Sequence, residues 1–342
     1  MGRPAILLLK EIYFPILAAV GVPANLVTIV ILSRGNCGLS KCISVYMVAM
    51  ATADLLVMIF NVILYYILSY HFPLSFLSHT RVCKLILFMN VVTFDWSVWF
   101  TVSFTFDRFI VICCQKFKAK YCTDITAIAV ITMFSVLVLL KDIPVFFAYE
   151  TEKIINNVEW GCRSNVHFFS APLGVAYLWF HSTWRVWLPF TLVALFNYFT
   201  VRRILLASRA RKRLKSLSSE NHSDPEMENR RKSIILLFAI SGSFILLWLT
   251  TAVSFLTTGL SNTTYYRGDR TNQAYIATET GDMLKLLSSC LNTFIYAASQ
   301  RMFREELKTV LKSPWTLILG LLKHERKPKW SVDCDISSSS LD

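Results

Sequence analysis

Among the ionisable side chains inside stretches that otherwise read as lipid-soluble are Asp54, Asp95, Asp107, Arg108, His181, Arg185, Asp282 and Lys285. A charge at membrane depth is costly unless it is paired, hydrated or used. Carboxylates with hydroxyl and amide neighbours suit a hard cation. Acid–base pairs can latch two helices, and a carboxylate three residues from an ammonium on one helical face can hold the two charged ends of an amino acid or peptide. A lone intramembrane lysine can also form a Schiff base.

These residues need apolar helices to hold them. The chain has 342 residues, 54% hydrophobic, 14% aromatic and 17% charged, with a mean hydropathy of +0.49. That balance points to a membrane protein. Spanning the hydrocarbon takes about 20 apolar residues as a helix. Seven segments reach that length: 12–32, 44–68, 82–113, 125–148, 171–206, 233–256 and 275–298. The fold class is therefore an all-α membrane protein, a bundle of seven transmembrane helices.

The formal charge of +13 does not indicate nucleic acid, because the basic residues lie between and after the apolar runs. The connection 202–232 carries ten basic and four acidic residues, and Lys116, Lys118 and Lys120 follow the third segment. Basic connections stay cytoplasmic. The N-terminal segment 1–11 is then extracellular and the tail 312–342 cytoplasmic and largely disordered. The same orientation puts the sequon at Asn262 outside, open to glycosylation. Between bundle and tail, 300–311 places Met302, Phe303, Leu307, Val310 and Leu311 on one face, the pattern of a short helix in the membrane interface. Nine cysteines without a C-x-x-C pair exclude a zinc cluster.

Asp107-Arg108-Phe109 ends the third segment and resembles the Asp-Arg-Tyr motif of rhodopsin-like (class A) G-protein-coupled receptors. Further positions fall in register: Asn25, Asp54, Pro189, the Phe244 and Trp248 pair of a hinge, and Asn292-Thr-Phe-Ile-Tyr296 in place of Asn-Pro-x-x-Tyr. The resemblance implies a disulfide between Cys83 and Cys162, and a switch in which Arg108 leaves Asp107 to meet a heterotrimeric G protein, with arrestin as a second partner. It also implies a sodium ion as allosteric modulator, held by Asp54, Ser97, Ser288 and Asn292, with no cofactor required.

The chain departs from the family pattern at several points. Thr293 and Thr250 replace prolines, Asn197 replaces a Tyr, and the fourth segment lacks its usual Trp. These departures resemble a small orphan group related to the receptors numbered 139 and 142, thought to sense aromatic amino acids. Arg230 stands where many members carry an acid, which predicts a weaker resting lock.

The resemblance places the ligand in the outer half. Amine receptors use an Asp where this chain has Asn90, which disfavours a simple biogenic amine. Asp95, His181, Arg185, Asp282 and Lys285 complete the expected pocket for an amino acid or peptide. Asp95 with Arg185 reads most simply as a buried ion pair that fixes packing, and Asp282 with Lys285 reads equally as a pair that neutralises itself. Two rivals remain. A retinal-type sensor needs its lysine at position 286, which is Leu286 here. A transporter or channel is disfavoured by the absence of an internal repeat and by only 11 glycines. No nucleophile–base set suggests an enzyme.

Overall fold

Apolar runs that cannot satisfy their backbone from lipid must do so internally, so each becomes a helix. The computed structural model describes residues 4–35, 39–72, 75–215, 225–260 and 273–312. Six helices in it are long and apolar enough to cross a membrane: Ala5–Ser33, Lys41–Leu68, Thr80–Cys113, Asp124–Phe146, Pro172–Arg209 and, within a longer helix, Ile234–Ser254. The seventh span, Gln273–Ser299, is helical throughout but carries Glu279, Asp282 and Lys285 in its first half. Its 27 residues give it a length of about 40 Å, sufficient to cross.

The first helix starts at Ala5, so most of the segment expected as an extracellular 1–11 is helical. Lys10 does not end it, because its ammonium is paired with Glu279 of the seventh span and lies 4.9 Å from the Tyr66 ring centroid. Gly21 lets the first span approach closely: a Cβ there would stand 2.4 Å from the sulfur of Cys290. Thr293 fills the place of the missing proline with a hydroxyl, 2.8 Å from Thr28 Oγ1 and donating to Ala24 O at 3.1 Å. Asn25 donates to the carbonyls of Gly21 and Ser289 at 3.0 and 2.9 Å. These bonds bind the first span to the seventh.

The third span is the axis of the bundle. In its most apolar window 67% of residues are buried, against 17% in the fourth span and 11% in the fifth, which explains why its polar groups are closed off from lipid. The second and fifth spans both widen into π-type turns, at Met58–Leu68 and Thr183–Trp187. The second of these lies just before the buried Pro189, whose missing N–H favours such a break. The sixth helix runs unbroken from Pro225 to Leu260 with no proline at Thr250.

Between the fourth and fifth spans the chain forms a hairpin that the sequence reading did not anticipate: β1, Tyr149–Ile155, pairs antiparallel with β2, Val158–Ser164. Asn156 and Asn157 make its two-residue turn with φ of 49° and 58°, a conformation Asn tolerates. Cys162 in β2 is disulfide-bonded to Cys83 at the N-terminal end of the third span, with Cα atoms 6.1 Å apart. Thr80 donates to Gly161 O at 2.9 Å, and His79 stacks on Trp160 at 4.4 Å. The hairpin is thus fixed to the third span at three points.

The amphipathic helix forms as Arg301–Lys312. Its apolar face is not simply laid into lipid: Phe303 and Val310 are buried in the core, whereas Met302 is exposed. Arg304 caps the seventh span by donating to the carbonyls of Ala297 and Ala298 at 3.0 and 2.9 Å. Asn262 and the tail beyond Lys312 lie outside the described residues, as does the side chain of Arg230.

Candidate functional site

The polar residues singled out from the sequence fall into four groups along the bundle axis. At the C-terminal end of the third span Asp107 and Arg108 are buried and ion-paired with each other. Neighbours on a helix diverge by about 100°, so only the long guanidinium arm can close this pair. Cys42 of the second span donates its thiol to Asp107 Oδ1 at 3.2 Å, a partner missed because its signal is only that of a small apolar residue. Phe109 stacks on Phe196 of the fifth span, ring centroids 5.5 Å apart. Tyr296 packs edge-on to Phe303 at 5.9 Å, and its buried hydroxyl has no hydrogen-bond partner among the described residues. Asn197, in the place of the usual Tyr, donates to Ser241 Oγ of the sixth span at 2.8 Å.

At mid-depth Asp54 is fully buried. Ser97 donates to its Oδ1 at 2.6 Å and Asn292 to its Oδ2 at 2.7 Å. Ser289, also buried, adds a hydroxyl beside the same carboxylate. Ser288, the expected ligand, is displaced from this role: it lies one residue, about 100°, further round the helix, and Ser289 is the buried one. A carboxylate, two hydroxyls and an amide are the donors a small hard cation accepts, so this set fits a sodium ion.

Above it lies the hinge group. Phe244 and Trp248 are one helical turn apart with ring centroids 5.4 Å from each other; Phe190 touches Phe244 at 5.6 Å and Phe94 meets Trp248 edge-on at 6.1 Å.

The outer residues do not form one pocket. Asp282 and Lys285 pair at 2.7 Å, with side chains 29% and 13% exposed. The same ammonium lies 4.5 Å from the centroid of Phe94 and 5.9 Å from that of Trp248, so an accessible ion pair rests directly on the hinge. Asn90 stands half-buried on the third span, its carbonyl 3.5 Å from Asn61 Nδ2.

Asp95, His181 and Arg185, expected in the ligand pocket, are instead drawn into a separate cluster where the third, fourth and fifth spans meet. Arg185 is ion-paired with Asp95 and also donates to Val91 O at 2.7 Å. The sequence reading missed Lys141 and Asp142, two adjacent charges in the fourth span. Lys141 is paired with Asp142, lies 2.7 Å from Asp95 Oδ2 as an ion-pair contact without directed hydrogen-bond geometry, and meets His181 Nδ1 at 3.0 Å. An ammonium cannot accept, so this ring nitrogen is the acceptor and carries no proton. Tyr177 donates to Asp142 Oδ1 at 3.3 Å. Asp95, Asp142 and His181 hold their ligand atoms within 4.8 Å of one another, as a metal site does, but the lysine ammonium already takes the cation's place among them.

Residues 24–296 match the 7 transmembrane receptor (rhodopsin family). This covers well over half of the chain. The protein is therefore a multi-pass membrane receptor and belongs to the rhodopsin-like family of G-protein-coupled receptors.

Proposed function

We propose that the receptor binds an extracellular amino acid or peptide at Asp282 and Lys285 and relays it to a heterotrimeric G protein, with arrestin as a later partner of the same inner face. The carrying observation is the position of Lys285, in salt contact with Asp282 and over the rings of Phe94 and Trp248. A ligand carboxylate that draws the ammonium away from Asp282, and a ligand ammonium that replaces it there, alter the charge resting on the hinge. A ligand acts only through unequal affinity for two states; here the inequality arises where Trp248 moves against Phe244.

At the inner end the state is read by Arg108, whose release from Asp107 frees a guanidinium for the G protein. The orientation that requires this, N-terminus outside and C-terminus in the cytoplasm of the plasma membrane, is supported by the ten basic residues of 202–232. The Cys83–Cys162 bond at the opposite end needs an oxidising compartment. The pattern of departures at Thr250, Thr293 and Asn197 supports kinship with the orphan group of receptors 139 and 142, and an aromatic amino acid as agonist.

The test is a panel of G-protein reporters in cells expressing the receptor at the surface, challenged with amino acids and short peptides. Arg108→Ala is expected to lower signalling roughly tenfold or more at equal surface level. A receptor that couples to no G protein across the panel overturns the reading. Because Arg230 stands where many members of the family carry an acid, basal signalling above that of Arg108→Ala is expected; equal baselines refute the weak lock.

For sodium, Asp54, Ser97, Ser289 and Asn292 would hold the ion, which supplies a positive charge that draws the second, third and seventh spans together. Replacing choline by sodium is expected to raise the melting temperature of the purified receptor. Asp54→Asn should abolish that rise. A sodium-dependent shift that persists in Asp54→Asn excludes the site.

A further inference from the structure

Where the third and fifth spans end on the inner side, their surfaces leave a groove of about 220 Å³ lined by Phe109, Cys113, Phe199, Arg202, Arg203 and Leu206. Its lining surface is almost wholly apolar, and two exposed arginines stand beside it. Phe199 and Leu206 are exposed apolar side chains, and the half-buried sulfur of Cys113 lies 3.8 Å from Phe199 O. Arg202 and Arg203 are exposed, and neither has a carboxylate within ion-pair distance among the described residues. Elsewhere among the described residues most cations at membrane depth are neutralised: Lys10 by Glu279, Arg108 by Asp107, Lys141 and Arg185 by Asp95, and Lys285 by Asp282.

We propose that this groove binds an anionic phospholipid, its phosphate between Arg202 and Arg203 and its first methylenes along Phe199 and Leu206. Consecutive guanidinium groups leave the helix about 100° apart, so they can approach one phosphate from two sides. Bidentate recognition of phosphate is the geometry arginine favours. A purely soluble phosphate would leave the apolar wall unused, and a neutral lipid would leave two charges unanswered. The groove lies where the third span ends at Cys113, the level of the headgroups in the inner leaflet; this placement rests on the cytoplasmic orientation proposed above. Because Phe109 is part of the wall, the bound lipid touches the residue next to Arg108.

The test uses the full chain in nanodiscs of phosphatidylcholine doped with phosphatidylserine or phosphatidylinositol bisphosphate, with retained lipid counted by native mass spectrometry. The double substitution Arg202→Gln, Arg203→Gln is expected to weaken retention roughly thirtyfold, since each basic residue near an anionic surface contributes about a factor of five. Arg202→Lys, Arg203→Lys should keep much of it. Leu206→Ser should weaken retention without changing the charge. Lys116→Gln with Lys120→Gln, an equal charge loss on the same side, should leave it intact. Three results overturn the groove: unchanged retention in the double glutamine variant, an equal loss on removing the two lysines, or full competition by inositol trisphosphate with no dependence on Leu206. The orientation is tested separately with an epitope on the tail. A tail reached without permeabilising the cell refutes the inner-leaflet placement, whereas lost lipid selectivity with the tail inside refutes the groove alone.

Discussion

Asp95→Asn is expected to remove most folded receptor from the cell surface. The cluster between the third, fourth and fifth spans balances two carboxylates, Asp95 and Asp142, against Lys141 and Arg185. Both carboxylates are fully buried, so nothing outside the cluster can compensate a missing charge. Breaking such a set by removing one partner costs about 3–5 kcal/mol, a large part of the roughly 5–15 kcal/mol that separates folded from unfolded states. The loss should come from the uncompensated positive charge rather than from the missing contact. Adding Lys141→Met to Asp95→Asn restores neutrality and should recover folded protein, although it removes a second interaction. Surface expression and thermal unfolding in detergent measure both variants. An Asp95→Asn receptor as stable as the parent, or a double variant worse than the single, rejects the charge-balance argument.

Lys285→Met is expected to lower the potency of a carboxylate-bearing agonist by roughly 30- to 100-fold, the equivalent of about 2–3 kcal/mol for a hydrogen bond to a charged group. Here the fold should survive, because Asp282, the partner left behind, is 29% exposed and can be hydrated. That contrast separates the two predictions: one acts on stability, the other on recognition. Lys285→Arg should recover part of the potency. The methyl ester of the agonist should act equally on the parent and on Lys285→Met, since neither pair then contains the interaction. A dose–response series decides; an ester that still discriminates the two receptors removes Lys285 from ligand recognition.

The spans were legible because each is a long apolar run, a signal that depends on no other part of the chain. Their ends were less so. The first helix extends back to Ala5 because Lys10 finds Glu279 and Tyr66 across the bundle, partners that are far apart in sequence. Motif residues such as Arg108, Asp54 and Trp248 could be singled out because each belongs to a short stretch that resembles a motif of the family. What remained hidden was which helix faces meet. Asp95 and Arg185 were readable as a buried ion pair, which they form, but the joining of Lys141 and Asp142 to them from the fourth span was not. Those two charges were visible but lay in a segment that passed as apolar overall. The choice between Ser288 and Ser289 failed for the same reason, since it turns on a rotation that only packing sets. The hairpin left a local mark in Asn156-Asn157, overlooked beside so many helices.

Thr293 has a kinetic consequence. A proline at this position would leave the Ser289 carbonyl without its intrahelical donor; here the helix is continuous through it, and Asn25 adds a second donor at 2.9 Å. The Thr293 amide should therefore exchange with deuterium as slowly as the most protected amides of the third span, not in the rapid window of a broken helix. The seventh span would then move as one rod, and its slowest motion would be set by separating it from Thr28 and Ala24 of the first.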